Sequence, residues 1–185
     1  MDQIKLHIDG HVLIRDVDTG EVILNRRNAI HNENMSVAIA NAMSLGTGLI
    51  STLALGNGGV VVDGSGNIVY NAVNVTDITD SLHNQTYAKD VSKSIAHAPD
   101  NHTTSAHTAG TTYSDVVVTC TLEYGEPTGQ DPLDDTANQE GDFVFDEIGL
   151  ISQQGRLLTH LIFHPVQKST NRKIQIVYTL RITAG

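Results

Sequence analysis

Two stretches in the C-terminal half restrict this chain more than anything else in it, because their side chains alternate with a period of two. Ile174, Ile176, Tyr178, Leu180 and Ile182 alternate with Gln175, Val177, Thr179, Arg181 and Thr183. Val116, Val118, Cys120, Leu122 and Tyr124 alternate in the same way with Val117, Thr119, Thr121 and Glu123. Successive side chains of an extended backbone point to opposite faces, so each stretch reads as a strand with one face for a core. Phe143, Phe145 and Ile148 mark another strand ending at Gly149-Leu150, followed by a turn at Gln153-Gln154-Gly155 and a strand from Leu157 to Phe163 that Pro165 stops. At the other end, Ile4, Leu6 and Ile8 alternate with Lys5 and His7, and Asp9-Gly10 gives a tight-turn signal. A second run spans His11 to Val17, and Asp18-Thr19-Gly20 turns it into Glu21-Val22-Ile23-Leu24.

One helix is predicted, at about 32–45. Met35, Ala38, Ile39, Ala42 and Met43 fall at i, i+3, i+4, i+7 and i+8, an apolar stripe for packing on a sheet. Asn32 or Asn34 is placed to cap its start and Gly46 its end. After it come Gly56, Gly58 and Gly59, and then Asp63-Gly64-Ser65-Gly66-Asn67 between Val60-Val61-Val62 and Ile68-Val69-Tyr70. A phosphate cradle needs strand, glycine loop and helix in that order, and here strands follow the glycines. These glycines read as turns between short strands. From Asn71 to Thr112 the chain is polar and weakly patterned, and 125–141 is a polar, acidic loop. A structureless connection of that length is unusual within a domain, and 71–112 is expected to be an excursion that meets another subunit. Short strands, turns and a single helix point to a mainly β fold, an antiparallel β-sandwich or jelly roll with long polar loops.

Composition narrows the function. A chain of 185 residues suits one domain, 1–185. Its formal net charge of -10 disfavours a nucleic-acid backbone or an anionic membrane as partner. Cys120 is the single cysteine, which excludes an internal disulfide framework, and its mid-strand position is that of an inert core thiol. The N-terminus lacks an apolar signal-peptide core, and Leu49–Leu55 is too short to span a bilayer, so synthesis in a reducing cytoplasm is expected.

Several groups of side chains are of types that can carry chemistry. His97, His102 and His107 recur every five residues, a spacing that suits neither a helix face nor a strand face, so they read as loop histidines with weak metal potential. His160 and His164 fall on one strand face with Leu158 and Ile162, opposite Leu157, Leu161 and Phe163, which puts the imidazoles at a rim. Asp131, Asp134, Asp135, Glu140 and Asp142 crowd one loop without the spacing of a calcium loop. Asp146 and Glu147 are adjacent and point to opposite faces if extended, a poor acid–base pair unless the backbone bends. No nucleophile elbow occurs. Neither a catalytic residue, a cofactor nor a small-molecule substrate is expected.

Two segments carry a resemblance. One runs from Gly10-His11-Val12-Leu13-Ile14-Arg15-Asp16 through Asp18-Thr19-Gly20-Glu21-Val22 to Arg27-Asn28-Ala29-Ile30, then the helix and Leu55-Gly56-Asn57-Gly58-Gly59. The other is Phe145-Asp146-Glu147-Ile148-Gly149-Leu150, then Gly155-Arg156-Leu157-Leu158-Thr159-His160 and Phe163-His164-Pro165-Val166-Gln167-Lys168, closing on Gln175–Leu180. Together they resemble small β-rich, jelly-roll virion structural proteins of tailed bacteriophages, of the tail, baseplate or neck type. The resemblance implies a non-enzymatic virion subunit that contacts copies of itself and neighbouring virion proteins. A capsid decoration protein is the alternative, and a carbohydrate-binding sandwich for host attachment a further one, disfavoured by the lack of Trp. In this reading Gly20, Gly149 and Gly155 serve turns and Asn28 satisfies a turn backbone, so all are scaffold features.

Overall fold

A computed structural model describes residues 4–128 and 144–185. The acidic residues Asp131, Asp134, Asp135, Glu140 and Asp142, Phe143, and most of the 125–141 loop lie outside the described residues. The described chain forms β1 (Leu6–Asp16), β2 (Val22–Ile30), α1 (Asn32–Leu45), β3 (Ile50–Gly56), β4 (Val60–Val62) and β5 (Ile68–Tyr70). These are followed by β6 (Gln85–Asp90), β7 (Asn101–His107), β8 (Tyr113–Leu122), β9 (Val144–Ser152), β10 (Leu157–Gln167) and β11 (Ile174–Ala184). The described residues are mainly β and antiparallel, with one helix. No described helix is long and apolar enough to cross a membrane.

Nine strands make one continuous sheet in the order β6-β3-β9-β10-β2-β1-β11-β8-β7, and β4-β5 form a separate hairpin. The sheet curls until its two edges approach. Beyond the end of β6, Val91 and Lys93 offer carbonyls to Thr103 of β7, at 2.8 Å from Oγ1 and 3.2 Å from N. The result is a nearly closed, sandwich-like shell around the core. Alternation decides what fills it: Val118, Cys120 and Leu122 of β8 and Ile174, Ile176, Tyr178 and Leu180 of β11 are all buried. Burial pushes the Cys120 thiol up to about 12, as expected of a core thiol. Tyr124 departs from the pattern: it is exposed and its hydroxyl donates to Asp18 at 2.7 Å.

Several local expectations differ from the structure. Asp9-Gly10 makes no turn; β1 runs straight through it, pairing with β11 from Leu6↔Ala184 to Asp16↔Ile174. Asn28 likewise sits inside β2, opposite Gly10, where its amide donates to the Ala29 carbonyl at 3.0 Å. The excursion 71–112 is not structureless: it supplies both edge strands of the sheet, β6 and β7. Pro165 does not stop β10, which continues across an irregularity between Ile162 and Val166 where no ladder donor is needed. Helix α1 is capped by His31, whose Nδ1 accepts from the Asn34 backbone at 3.2 Å, and only the Met35–Ile39 part of its stripe reaches the core. Ala42 is exposed, and Met43 is 85% exposed.

Among the turn glycines, Gly20 and Gly155 have φ of 73° and 76°, conformations that glycine adopts freely. Gly56 and Gly149 lie inside β3 and β9 instead, and neither they nor Gly58 and Gly59 have positive φ. At these four positions close neighbours, not a turn, demand the missing side chain.

The turn after β1 is fastened by Asp16, which accepts from the backbones of Asp18 and Thr19 at 3.0 and 2.9 Å and from Arg172 Nε at 2.8 Å. The Thr19 amide and then Arg172 hold its carboxyl down at about 2, against an ordinary 3.8. Its stabilising effect is complete above 3.8 and is lost as pH falls through about 2. Asp16→Asn is therefore expected to melt below the parent at neutral pH, with the gap closing between those two pH values. Melting curves of both proteins across that range decide it, and a constant gap contradicts it.

Candidate functional site

The polar residues that the sequence scatters are gathered on the outer face of β3, β9 and β10. A segment of the excursion, residues 71–84, lies across that face as a strap. Leu82 is its buried apolar foot, packed with Ala54 of β3 and Leu157 of β10, with Ile151 at the margin. This satellite cluster explains why β9 is buried along nearly its whole length: core on one face, strap on the other. The strap starts beside the glycine loop, where Asn71 donates from its backbone to Gly59 and from its side chain to Gly58, at 2.8 and 2.9 Å.

Glu147 of β9 is the centre of the arrangement and is fully buried. Its Oε1 accepts from the backbones of Gly58 and Asn84 at 3.2 and 2.7 Å. Its Oε2 accepts from the His83 backbone at 2.9 Å and from His160 Nε2 at 3.0 Å. Four donors occupy the roughly four lone-pair positions of a carboxylate. Burial is the largest single influence on Glu147 and raises it, yet the four hydrogen bonds together hold it below the ordinary range. Asp146 reaches the same loop, accepting from Gly59 N at 2.7 Å, and is pushed up to about 6 by burial, against the Gly59 amide and with help from Glu147.

The two carboxylates thus face the same loop, contrary to the opposite-face expectation for an extended dipeptide. The β9–β10 register slips between Phe145↔Val166 and Glu147↔Ile162, and that irregularity turns Asp146 and Glu147 together. A second slip, between Leu157 and Thr159, corrects the faces of β10: Leu158, Leu161 and Phe163 all enter the main core, whereas Leu157 faces the strap. His160 is fully buried instead of standing at a rim, and His164 is exposed.

Three imidazoles hold the strap. His160 Nδ1 accepts from Asn74 N at 2.8 Å, so its proton is on Nε2 and is donated to Glu147. His83 Nε2 donates to the Ala72 carbonyl at 2.8 Å, leaving Nδ1 to accept from Asn74 Nδ2 at 3.3 Å. His31 caps α1 with Nδ1 and donates from Nε2 to the Asp77 carbonyl at 2.7 Å, with Asp80 at 3.8 Å. His97, His102 and His107 do not converge: His97 is in an exposed turn bonded to Ser94, His102 is buried in β7, and His107 is exposed at its end. Sequence reasoning singled out Glu147 and His160 separately and missed His31, His83 and Asn74. The one available signal was an acidic pair inside an apolar strand, Phe145-Asp146-Glu147-Ile148, which a buried anchor requires.

Two apolar surfaces are left without cover by the described residues. The β4-β5 hairpin stands outside the main sheet and exposes Val61, Val62, Val69 and Tyr70, the last two by 45% and 52%. On another face, Leu6 and Ile8 of β1 and Ile30, Met35, Ile39 and Met43 line a groove of about 630 Å³. Comparison with family models, curated proteins and solved structures finds no match to the chain.

Proposed function

We propose that this protein is a non-enzymatic structural subunit of a tailed-phage particle, of the tail, baseplate or neck, that assembles with copies of itself and with neighbouring virion proteins. The observation that carries the assembly part is the β4-β5 hairpin. This hairpin lies outside the main sheet, held to it by the Asp146 contact at Gly59 and by β10, and it leaves four large apolar side chains uncovered. A surface of that kind gains stability when a neighbour covers it. The chemistry of the interior agrees: the densest polar cluster spends its hydrogen bonds on holding the strap and the glycine loop. The phage assignment rests on the resemblance carried by Gly10–Ile30 and Phe145–Leu180.

Light scattering on the eluting protein tests self-association. The expected result is a concentration-dependent oligomer that Val62→Glu with Val69→Glu reduces to a monomer, while stability stays within about 0.5 kcal/mol because the positions are exposed. A parent chain that remains monomeric at every concentration removes the self-assembly reading. Mass spectrometry of purified tailed-phage particles produced with this chain tests the rest, with a fixed copy number expected and absence from the particle refuting it.

A further inference from the structure

His83, Glu147 and His160 each offer one ligand atom, and the three atoms lie within 4.8 Å of one another. Three separate elements bring them there: the end of the strap, β9 and β10. Glu147 and His160 are buried and His83 is exposed, so the group has a fixed inner wall and one accessible side. Two imidazoles and a carboxylate are a donor set that suits zinc, which takes nitrogen and oxygen ligands at roughly 2.0–2.2 Å and leaves a fourth position open. We propose that these three residues form a binding site for a zinc-like divalent cation, closed in this structure by Asn74.

The hydrogen bonds identify what closes it. Because the Asn74 backbone N–H donates to Nδ1 of His160, the ring keeps its proton on Nε2, between the nitrogen and the Glu147 oxygen that would both ligate the ion. Asn74 also covers Nδ1 of His83 with its side-chain amide. One residue therefore fixes the excluding tautomer of one imidazole and occupies the free lone pair of the other.

Entry of a cation requires Asn74 to withdraw and the His160 proton to pass from Nε2 to Nδ1 through solvent exchange. The ring stays neutral, so the exchange consumes no acid or base. Glu147 gives up only the imidazole donor; its three backbone donors remain and aim the carboxylate. His83 keeps its Nε2–H on the Ala72 carbonyl, the kind of outer partner that orients a ligating imidazole. Asp146, beside Glu147, adds a second carboxylate to offset the ion's charge in a buried setting.

The test is a calorimetric titration of the chelator-stripped full chain with Zn²⁺ alone. One saturable site per chain is expected. His83→Ala, at an exposed side chain, is expected to weaken it by at least the roughly 10–100-fold that even an outer partner is worth. The double variant His97→Ala with His107→Ala should bind as the parent does, and Asn74→Ala should bind severalfold more tightly. In ¹⁵N spectra of the imidazoles, His160 should change from the Nε2–H to the Nδ1–H tautomer on saturation. A featureless titration of the parent overturns the site. So does binding that survives His83→Ala or disappears in the His97/His107 variant. Asn74→Ala removes the side-chain cover of His83 and keeps the backbone N–H on His160, so binding no tighter than the parent overturns the closing role of the Asn74 side chain.

Discussion

Glu147→Ala is expected to cost about 3–5 kcal/mol, the combined cost of several buried donors left without an acceptor. The loss comes from what remains. Three backbone N–H groups, of Gly58, His83 and Asn84, and the Nε2–H of His160 would all lose their acceptor. Each buried orphan carries a desolvation penalty of about 1–3 kcal/mol, lessened where the strap can lift and admit water. Glu147→Gln is the sharper probe. It keeps one acceptor oxygen but sets an amide NH₂ against either two backbone donors or a backbone donor and an imidazole N–H. His160 cannot relieve the conflict by changing tautomer, because Nδ1 is engaged by Asn74. A cost of about 2–3 kcal/mol is expected for Gln, measured by urea unfolding. Both variants should also speed proteolysis within 71–84 under native conditions. A near-neutral Glu147→Ala would show that the carboxylate does not fasten the strap.

Gly149→Ala should destabilise by about 3 kcal/mol, at the upper end for overpacking a filled interior. The position is extended, so backbone dihedrals are not the cause. A Cβ there would lie 2.6 Å from the Thr159 carbonyl oxygen, 2.7 Å from Leu157 Cδ1 and 3.2 Å from Leu82 Cδ2. The first of these is backbone in the adjacent β10 and cannot rotate aside. Relief would require β9 and β10 to part, next to the Thr159 hydroxyl that accepts from Leu150 N at 3.0 Å. Gly149→Val should cost more still. Chemical denaturation of the pair decides the matter, and an Ala variant as stable as the parent would mean that these strands pack more loosely than described.

The parts of this fold that were legible in the sequence are those where side-chain period and backbone geometry agree. β8 and β11 run without a slip, so their alternation transferred directly into burial, and Gly20, Gly46 and Gly155 lie where a positive φ ends an element. Misreadings arose where one element depends on a distant one. Asp9-Gly10 has turn chemistry, but Asn28 of β2 packs on it and keeps the strand straight. Two register slips in the β9–β10 pair exchanged the faces on which Glu147, Leu157 and His160 were placed. The strap carries Ala72, Val73, Val75, Ile78 and Leu82 in no sustained period, and its attachment depends on three histidines and one glutamate drawn from positions 31 to 160, beyond any local spacing rule. Of these apolar residues only Leu82 is buried, too little to mark a buried element.

The pairing of β1 with β11 has a consequence for how a ribosome-born chain reaches this state. These two strands are neighbours near the middle of the sheet, yet they are the first and last described strands to be synthesised. β1 must wait for its partner until Ile174–Ala184 has emerged, holding Val12 and Ile14 without their final cover. Ordering of the shell is therefore late relative to the synthesis of β1, and contacts between residues so far apart along the chain make it slow.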